Sequence, residues 1–325
     1  MRHPHPPRRP TKKNSRRGND DDTRGMETIR DWLRYATSLF THQKLAFGQS
    51  TLNAYDEATW LLRHALHLPT ENFETFLDAR LSPTEKTTLK SILHRRAFLR
   101  EPAAYIIGEA WLGDFSFRVD PRVVIPRSYF LEIISDQLNQ WIPNPDTITR
   151  IADVCTGSGC LAILLAAAYP NAHIDATDIS QDALDVATLN IADYNLQSRI
   201  TPRHADILND LRPHPSPPAT PYDIILCNPP YEPESLLETL PEEFHHEPTQ
   251  ALISGPDGMD IIRRLLPQAT SRLAPNGILL VETGALHDTL ETEFPTLEFH
   301  WLPTQDESDC VALLHASSLR TLFHP

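Results

Sequence analysis

The chain has 325 residues, with Lys and Arg totalling 29 against 43 Asp and Glu, a net charge of −14. That balance argues against a protein that wraps nucleic acid by overall charge, and an apolar content of 40% is too high for a disordered chain. No stretch approaches the ~18 uncharged apolar residues of a membrane-spanning helix, so no membrane partner is expected.

Residues 1–25 read as a disordered basic tail. Within 1–24, eight Lys or Arg stand against three Asp, a net of +5, which leaves −19 on the remainder. Four prolines and almost no apolar residues argue against structure there. The tail lacks the apolar segment of a secretory signal, and its prolines and consecutive acids spoil a transit-peptide helix. A solvated tail is the expectation; weak contact with an anionic partner such as RNA is the alternative. Met26 follows directly and offers another start.

Residues 26–110 carry a helical pattern. Ile29, Trp32, Leu33, Ala36, Leu39 and Phe40 recur at steps of three and four. Ala58, Leu61, Leu62, Ala65 and Leu66 repeat the pattern before Pro69. Ser82-Pro83-Thr84-Glu85 is a capping box with Pro at the first helical position. It opens a helix carrying Leu89, Ile92, Leu93 and Ala97. The period changes over 111–145. Phe115, Phe117 and Val119 alternate behind Gly113-Asp114, which predicts a β-hairpin. Ser128 is placed to cap a helix with Leu131, Ile134 and Leu138 on one side, and Pro143 and Pro145 mark a linker.

From 146 to 325 strands and helices alternate. Strands are predicted at 149–154, 173–177, 200–204, 222–227, 278–282, 297–301 and 310–314, and helices at 161–169, 181–193 and 260–273. Alternation of this kind makes a mostly parallel, doubly wound α/β sheet with helices on both faces, and the last two strands add an antiparallel edge. Five prolines within 212–221 predict an irregular exposed loop. Cys155, Cys160, Cys227 and Cys310 have no zinc or Cys-x-x-Cys spacing and read as buried thiols in a reducing, cytoplasmic compartment. The adjacent His245-His246 is a poor metal pair, and no metal is expected.

Two strand ends carry the chemistry. The first runs into Asp153-Val154-Cys155-Thr156-Gly157-Ser158-Gly159-Cys160 and then a helix, with two of only eleven glycines in the loop. Glycine lets a backbone pass close beneath a ligand, and ligands bind beyond the carboxyl ends of parallel strands. Asp178, at the end of the second strand, can accept hydrogen bonds from both hydroxyls of a ribose. A nucleoside-containing cofactor site follows, but NAD and S-adenosylmethionine both fit it, since 157–162 also matches Gly-x-Gly-x-x-Ala. The strand at 222–227 decides by running into Asn228-Pro229-Pro230-Tyr231. Its prolines remove two amide donors and leave carbonyl acceptors. The Asn228 oxygen and the Pro229 carbonyl can converge on a planar NH2 group, with the Tyr231 ring against its face. An NAD oxidoreductase has no use for such a site.

Asp-x-x-x-Gly-Ser-Gly, the acid ending the second strand and Asn-Pro-Pro-Tyr resemble the class I S-adenosylmethionine methyltransferases that act on amide or amino nitrogens. Pro102-Ala103-Ala104-Tyr105, Ile125-Pro126-Arg127-Ser128, Glu247-Pro248 and Gly255-Pro256-Asp257-Gly258 extend the similarity to the protein-glutamine methyltransferases. Residues 28–34, Gly108-Glu109-Ala110-Trp111 and Pro126-Arg127-Ser128 are similar to the ribosomal-protein branch, and the acidic Thr-Glu pair usual in the release-factor branch is absent. The resemblance implies S-adenosylmethionine as cofactor and a glutamine of a large-subunit ribosomal protein, the third, as target. It assigns the cofactor to Asp153, Cys155, Thr156, Gly157, Ser158, Gly159, Asp178, Asp206, Ile207 and Asn228. Substrate falls to Asn228, Pro229, Pro230 and Tyr231, with Asn228, Pro229 and Tyr231 catalytic. The helical domain would recognise substrate. An acidic body would suit a basic ribosomal protein through steering. An amino-DNA methyltransferase would share the motif but would need a basic surface and a DNA-reading domain, so no DNA partner is expected. Tyr129, Ile207, the Glu282-Thr283-Gly284-Ala285 strand end and Glu307-Ser308-Asp309 depart from the pattern. No conventional base is evident; Glu247 is nearby in sequence and equally suits a structural partner for Arg127.

Overall fold

A computed structural model describes residues 23–210 and 220–323. The basic tail up to residue 22 and nearly all of the 212–221 loop lie outside the described residues. Helices α1 (Ile29–His42), α2 (Ala54–Ala65), α3 (Pro83–Phe98) and α4 (Ala103–Ile107) form the first unit. Capping sets their starts. Thr28 and Asp31 close a capping box on α1, and Ser82 and Glu85 close the expected one on α3. Helix α2 begins a turn earlier than its apolar repeat, because the Asn53 side chain accepts from the Tyr55 and Asp56 amides at 3.1 and 3.0 Å. Trp32, Ala36, Phe40, Leu61, Leu62 and Leu89 fill the core between them.

The hairpin pairs β1 (Glu109–Leu112) with β2 (Phe115–Arg118), starting two residues before the predicted run. The helix expected after Ser128 is irregular. One α turn, α5 (Phe130–Glu132), passes into a π turn at Ile133–Gln137 and a 3-10 turn at Leu138–Gln140. Its buried face is Phe130, Ile133 and Leu138, shifted from the expected Leu131 and Ile134. Ser128 Oγ accepts from the Phe130 amide at 3.1 Å, but the helix is capped one residue later, at Tyr129 with no side-chain cap bond, so neither the predicted cap position nor the helix period stands.

The remainder is β3 (Arg150–Val154), α6 (Cys160–Ala168), β4 (His173–Asp178), α7 (Gln181–Asp193), β5 (Ile200–Asp206), β6 (Asn209–Asp210), β7 (Tyr222–Cys227), α8 (Asp260–Arg272), β8 (Leu273–Glu282), α9 (His287–Glu293), β9 (His300–Trp301), β10 (Val311–His315) and α10 (Ala316–Leu322). The eight-stranded sheet runs β6-β5-β4-β3-β7-β8-β10-β9. Strands β5, β4, β3, β7 and β8 are parallel, β10 pairs antiparallel with β8 and β9, and the unexpected β6 folds back on β5. This is the class I methyltransferase sheet with its antiparallel edge. Strand β9 is shorter than the predicted 297–301, because the Leu297 amide turns back onto the Phe294 carbonyl at 3.0 Å. Val154 lies level with both Thr177 and Cys227, so the ends of β3, β4 and β7 form one edge. The chain reverses its winding between β3 and β7, where an open sheet leaves a crevice. No helix among the described residues is long and apolar enough to cross a membrane.

Candidate active site

The crevice is a cavity of about 270 Å3. Its wall includes Cys155, Thr156, Gly157 and Ser158 after β3, Asp178 after β4, and the whole of Asn228-Pro229-Pro230-Tyr231 after β7. Gly157 has φ of +54°, and a Cβ there would meet nothing within 4 Å, so the loop leaves open space above its backbone. The Gly157 amide donates to Asp178 Oδ2 at 2.9 Å, and the Ser180 amide donates to Oδ1 at 2.8 Å. Asp178 is thereby fixed by backbone while each oxygen keeps a further lone pair. Burial pushes its pKa up. Cys155 is half-buried on this wall, whereas Cys160, Cys227 and Cys310 are the buried thiols expected.

Four predicted residues stand away from the wall. Asp153 is wholly buried at the end of β3 and accepts from Thr156 Oγ1. Gly159 caps α6, where a Cβ would come within 3.1 Å of the Ala187 Cβ. Asp206 is paired with Arg264 and does not line the cavity. Ile207 is buried in the core with Val154 and Leu208, and its carbonyl accepts from Thr177 Oγ1 at 2.7 Å. Asp206 and Ile207, assigned to the cofactor by the resemblance, are therefore not part of this wall.

Burial raises the Asp153 pKa to about 7. The native state thus holds a proton that an unfolded Asp releases near pH 3.8. Stability from this group is present below pH 4 and is lost as pH rises towards 7. Asp153→Asn, which keeps an acceptor for Thr156, should flatten that decline and raise Tm at pH 8 by several degrees relative to pH 4.5. Parallel Tm–pH curves for the two proteins would exclude a protonated Asp153.

Tyr231 divides the crevice from a second cavity of about 480 Å3, which shares Arg127, Ser128 and Tyr231 with the first and adds Tyr129, Glu282 and Asp306. Glu282 ends β8 and is 3% exposed. It accepts from Ser128 Oγ, from the Tyr129 amide at 3.2 Å and from Tyr231 Oη at 3.3 Å, and it lies beside the Asn228 amide. Burial raises its pKa and that of Tyr231. Glu282 is thus the carboxylate that organises the Asn-Pro-Pro-Tyr turn. Its position at a parallel strand end is the signal by which sequence could single it out. Glu247 faces the other way, onto Arg127 at 2.8 and 2.7 Å, as a structural partner. Among the described residues nothing donates to the Pro229 carbonyl, so it stands as an acceptor together with the Asn228 oxygen.

Two family models fit the chain, the Methyltransferase small domain over residues 131–255 and the PrmC N-terminal domain over residues 31–108. A ribosomal protein uL3 glutamine methyltransferase of Bordetella pertussis strain Tohama I is 44% identical, over 91% of this chain and 97% of that one. The Burkholderia pseudomallei protein of the same name is 45% identical over 90% and 96%. That of Francisella tularensis is 35% identical over 92% and 94%. With this extent of similarity, and with a methyltransferase sheet carrying Asn-Pro-Pro-Tyr at its crevice, the chain is an enzyme that belongs to the uL3 glutamine methyltransferase family.

Proposed function

We propose that the enzyme transfers a methyl group from S-adenosylmethionine to the side-chain amide nitrogen of a glutamine in ribosomal protein uL3. The observation that carries this is the pair of acceptors, Asn228 Oδ1 and the Pro229 carbonyl, at the end of β7 beside the glycine loop of β3. The relatives' names supply the protein substrate. The 26–110 helical unit, the 111–145 hairpin and linker, and the 146–325 domain are taken as substrate recognition, connection and catalysis. A role for the basic tail in weak RNA contact belongs to the same proposal.

The residues present fit the cofactor. Open space over Gly157 leaves room for a close ligand, and Asp178 retains lone pairs for two ribose hydroxyls. When bound, S-adenosylmethionine supplies an electrophilic sulfonium methyl. An amide nitrogen is a weak nucleophile because its lone pair is delocalised into the carbonyl. Asn228 and Pro229 accept from its two hydrogens, which become more acidic as the nitrogen gives up electron density, so the acceptors stabilise the transition state more than the ground state. One of these hydrogens then leaves to solvent as a proton, so that the product is a neutral N-methyl amide. Tyr231, held through its hydroxyl by Glu282, lies against the amide plane and fixes direction.

Labelled cofactor incubated with uL3, a release factor or duplex DNA tests the reading. Label on a uL3 glutamine supports it; label only on the release factor or DNA overturns it. Asp178→Ala should weaken cofactor binding roughly 100-fold by calorimetry, since hydrogen bonds to a charged group are worth about 1.5–3 kcal/mol. Unchanged affinity would remove Asp178 from the ribose.

A further inference from the structure

The wall of the cofactor cavity also includes the segment after the Asn-Pro-Pro-Tyr turn, through Leu240, Phe244, Pro248 and Leu252. Its outward side is held by the helical unit. Glu243, 2% exposed, accepts from the Ala46 amide at 3.0 Å, Arg96 at 3.3 Å and Arg100 at 3.1 Å. Arg96, 1% exposed, also donates to Glu57 at 2.6 Å and to the Ala46 carbonyl at 2.8 Å. The His246 ring meets the Leu99 carbonyl at 3.0 Å.

Gln49 carries this hold to the reacting centre. Its Nε2 donates to Glu247 Oε1 at 2.6 Å, a contact buried on both sides. The same carboxylate takes both terminal nitrogens of Arg127. Arg127 borders both cavities and lies over the Phe244 ring at 5.4 Å from its centroid. A loose guanidinium at that junction would oppose a sulfonium, and Glu247 cancels it. With Glu247 buried and Arg127 only half-buried, the pair adds little net stability, so orientation is the better account of it. We propose that Gln49 is a positioning residue for methyl transfer: the helical unit, through Gln49 and Glu247, fixes Arg127 beside Tyr231 and so shapes the site where the nitrogen attacks.

The inference rests on the methyl-transfer reading, and the test separates the two. The full chain is assayed with labelled cofactor and uL3, with Tm measured alongside. Gln49→Met keeps the volume and loses the donor. It should lower kcat roughly 10- to 100-fold, as small misplacements do, with KM for both substrates within about twofold and Tm lowered by only a few degrees for the lost hydrogen bond to the Glu247 carboxylate. Gln49→Glu sets a second carboxyl against Glu247, with Arg127 and the Tyr105 hydroxyl as the other groups facing that carboxylate. One shared proton restores the missing donor, so kcat should come closest to wild type at the acid end of the profile and fall more steeply than wild type as pH rises. Wild-type kcat in Gln49→Met, or a Gln49→Glu profile parallel to wild type, overturns the positioning role. Should Gln49→Met not fold, the Gln49→Glu profile decides alone. Absence of turnover in the wild-type chain overturns the underlying reading instead.

Discussion

Replacing Asn228 with alanine should reduce kcat at least 100-fold while cofactor affinity stays within about tenfold of wild type. The asymmetry follows from where the side chain acts. Removing one preorganised group that stabilises developing charge costs typically 10²–10³ in turnover, whereas one ordinary hydrogen bond is worth about 1 kcal/mol in binding. Asn228 lies at the carboxyl end of β7, one edge of the cavity, while the Gly157–Asp178 contact that would serve a ribose is across β3. Loss of the side chain leaves Glu282 its contacts to Ser128, Tyr129 and Tyr231, so the turn itself should persist. Single-turnover rates with labelled cofactor, beside a calorimetric titration, read the two quantities separately. Full turnover in Asn228→Ala would remove the residue from catalysis.

Much of this site was legible from the chain because it is local. Cys155 to Ser158 and Asn228 to Tyr231 are contiguous runs at strand ends, and the pairing of Val154 with Cys227 brings those ends together in any parallel sheet of this order. The strand and helix alternation, the capping box at Ser82 and the antiparallel edge are likewise short-range signals. What escaped is long-range or conformational. Ser128 meets Glu282 across 154 positions. No periodicity reports such a pairing. The Ile133–Gln137 π turn shifted the buried face because a 3.6-residue repeat cannot anticipate a different winding. Ile207 drew its role from position in a motif, but its φ of +63° and the core around it turn the side chain inward.

Gly258 illustrates a residue whose reason appears only in three dimensions. A Cβ placed on it would lie 2.3 Å from the Tyr231 carbonyl oxygen, with φ at +84°. The obstacle is backbone belonging to the Asn-Pro-Pro-Tyr turn, and Pro229 and Pro230 stiffen that turn against yielding. Gly258→Ala therefore combines left-handed strain of about 1–2 kcal/mol with overpacking of about 1–3 kcal/mol. Either Gly258 moves away or Tyr231 is pushed out of register with Asn228, and both outcomes open the boundary between the two cavities. Turnover should fall about 100-fold or more, since displacement of a reacting group by an ångström is enough for that, and Tm should drop by several degrees. Gly284→Ala provides the contrast. Its φ is also left-handed, at +54°, but its Cβ would meet first the Tyr231 ring atoms at 2.7 Å, so the ring is displaced while the Pro229 carbonyl stays. If acceptor geometry governs the rate, Gly258→Ala should lose more turnover than Gly284→Ala at equal loss of Tm. Equal losses would instead assign the dominant part to the Tyr231 ring.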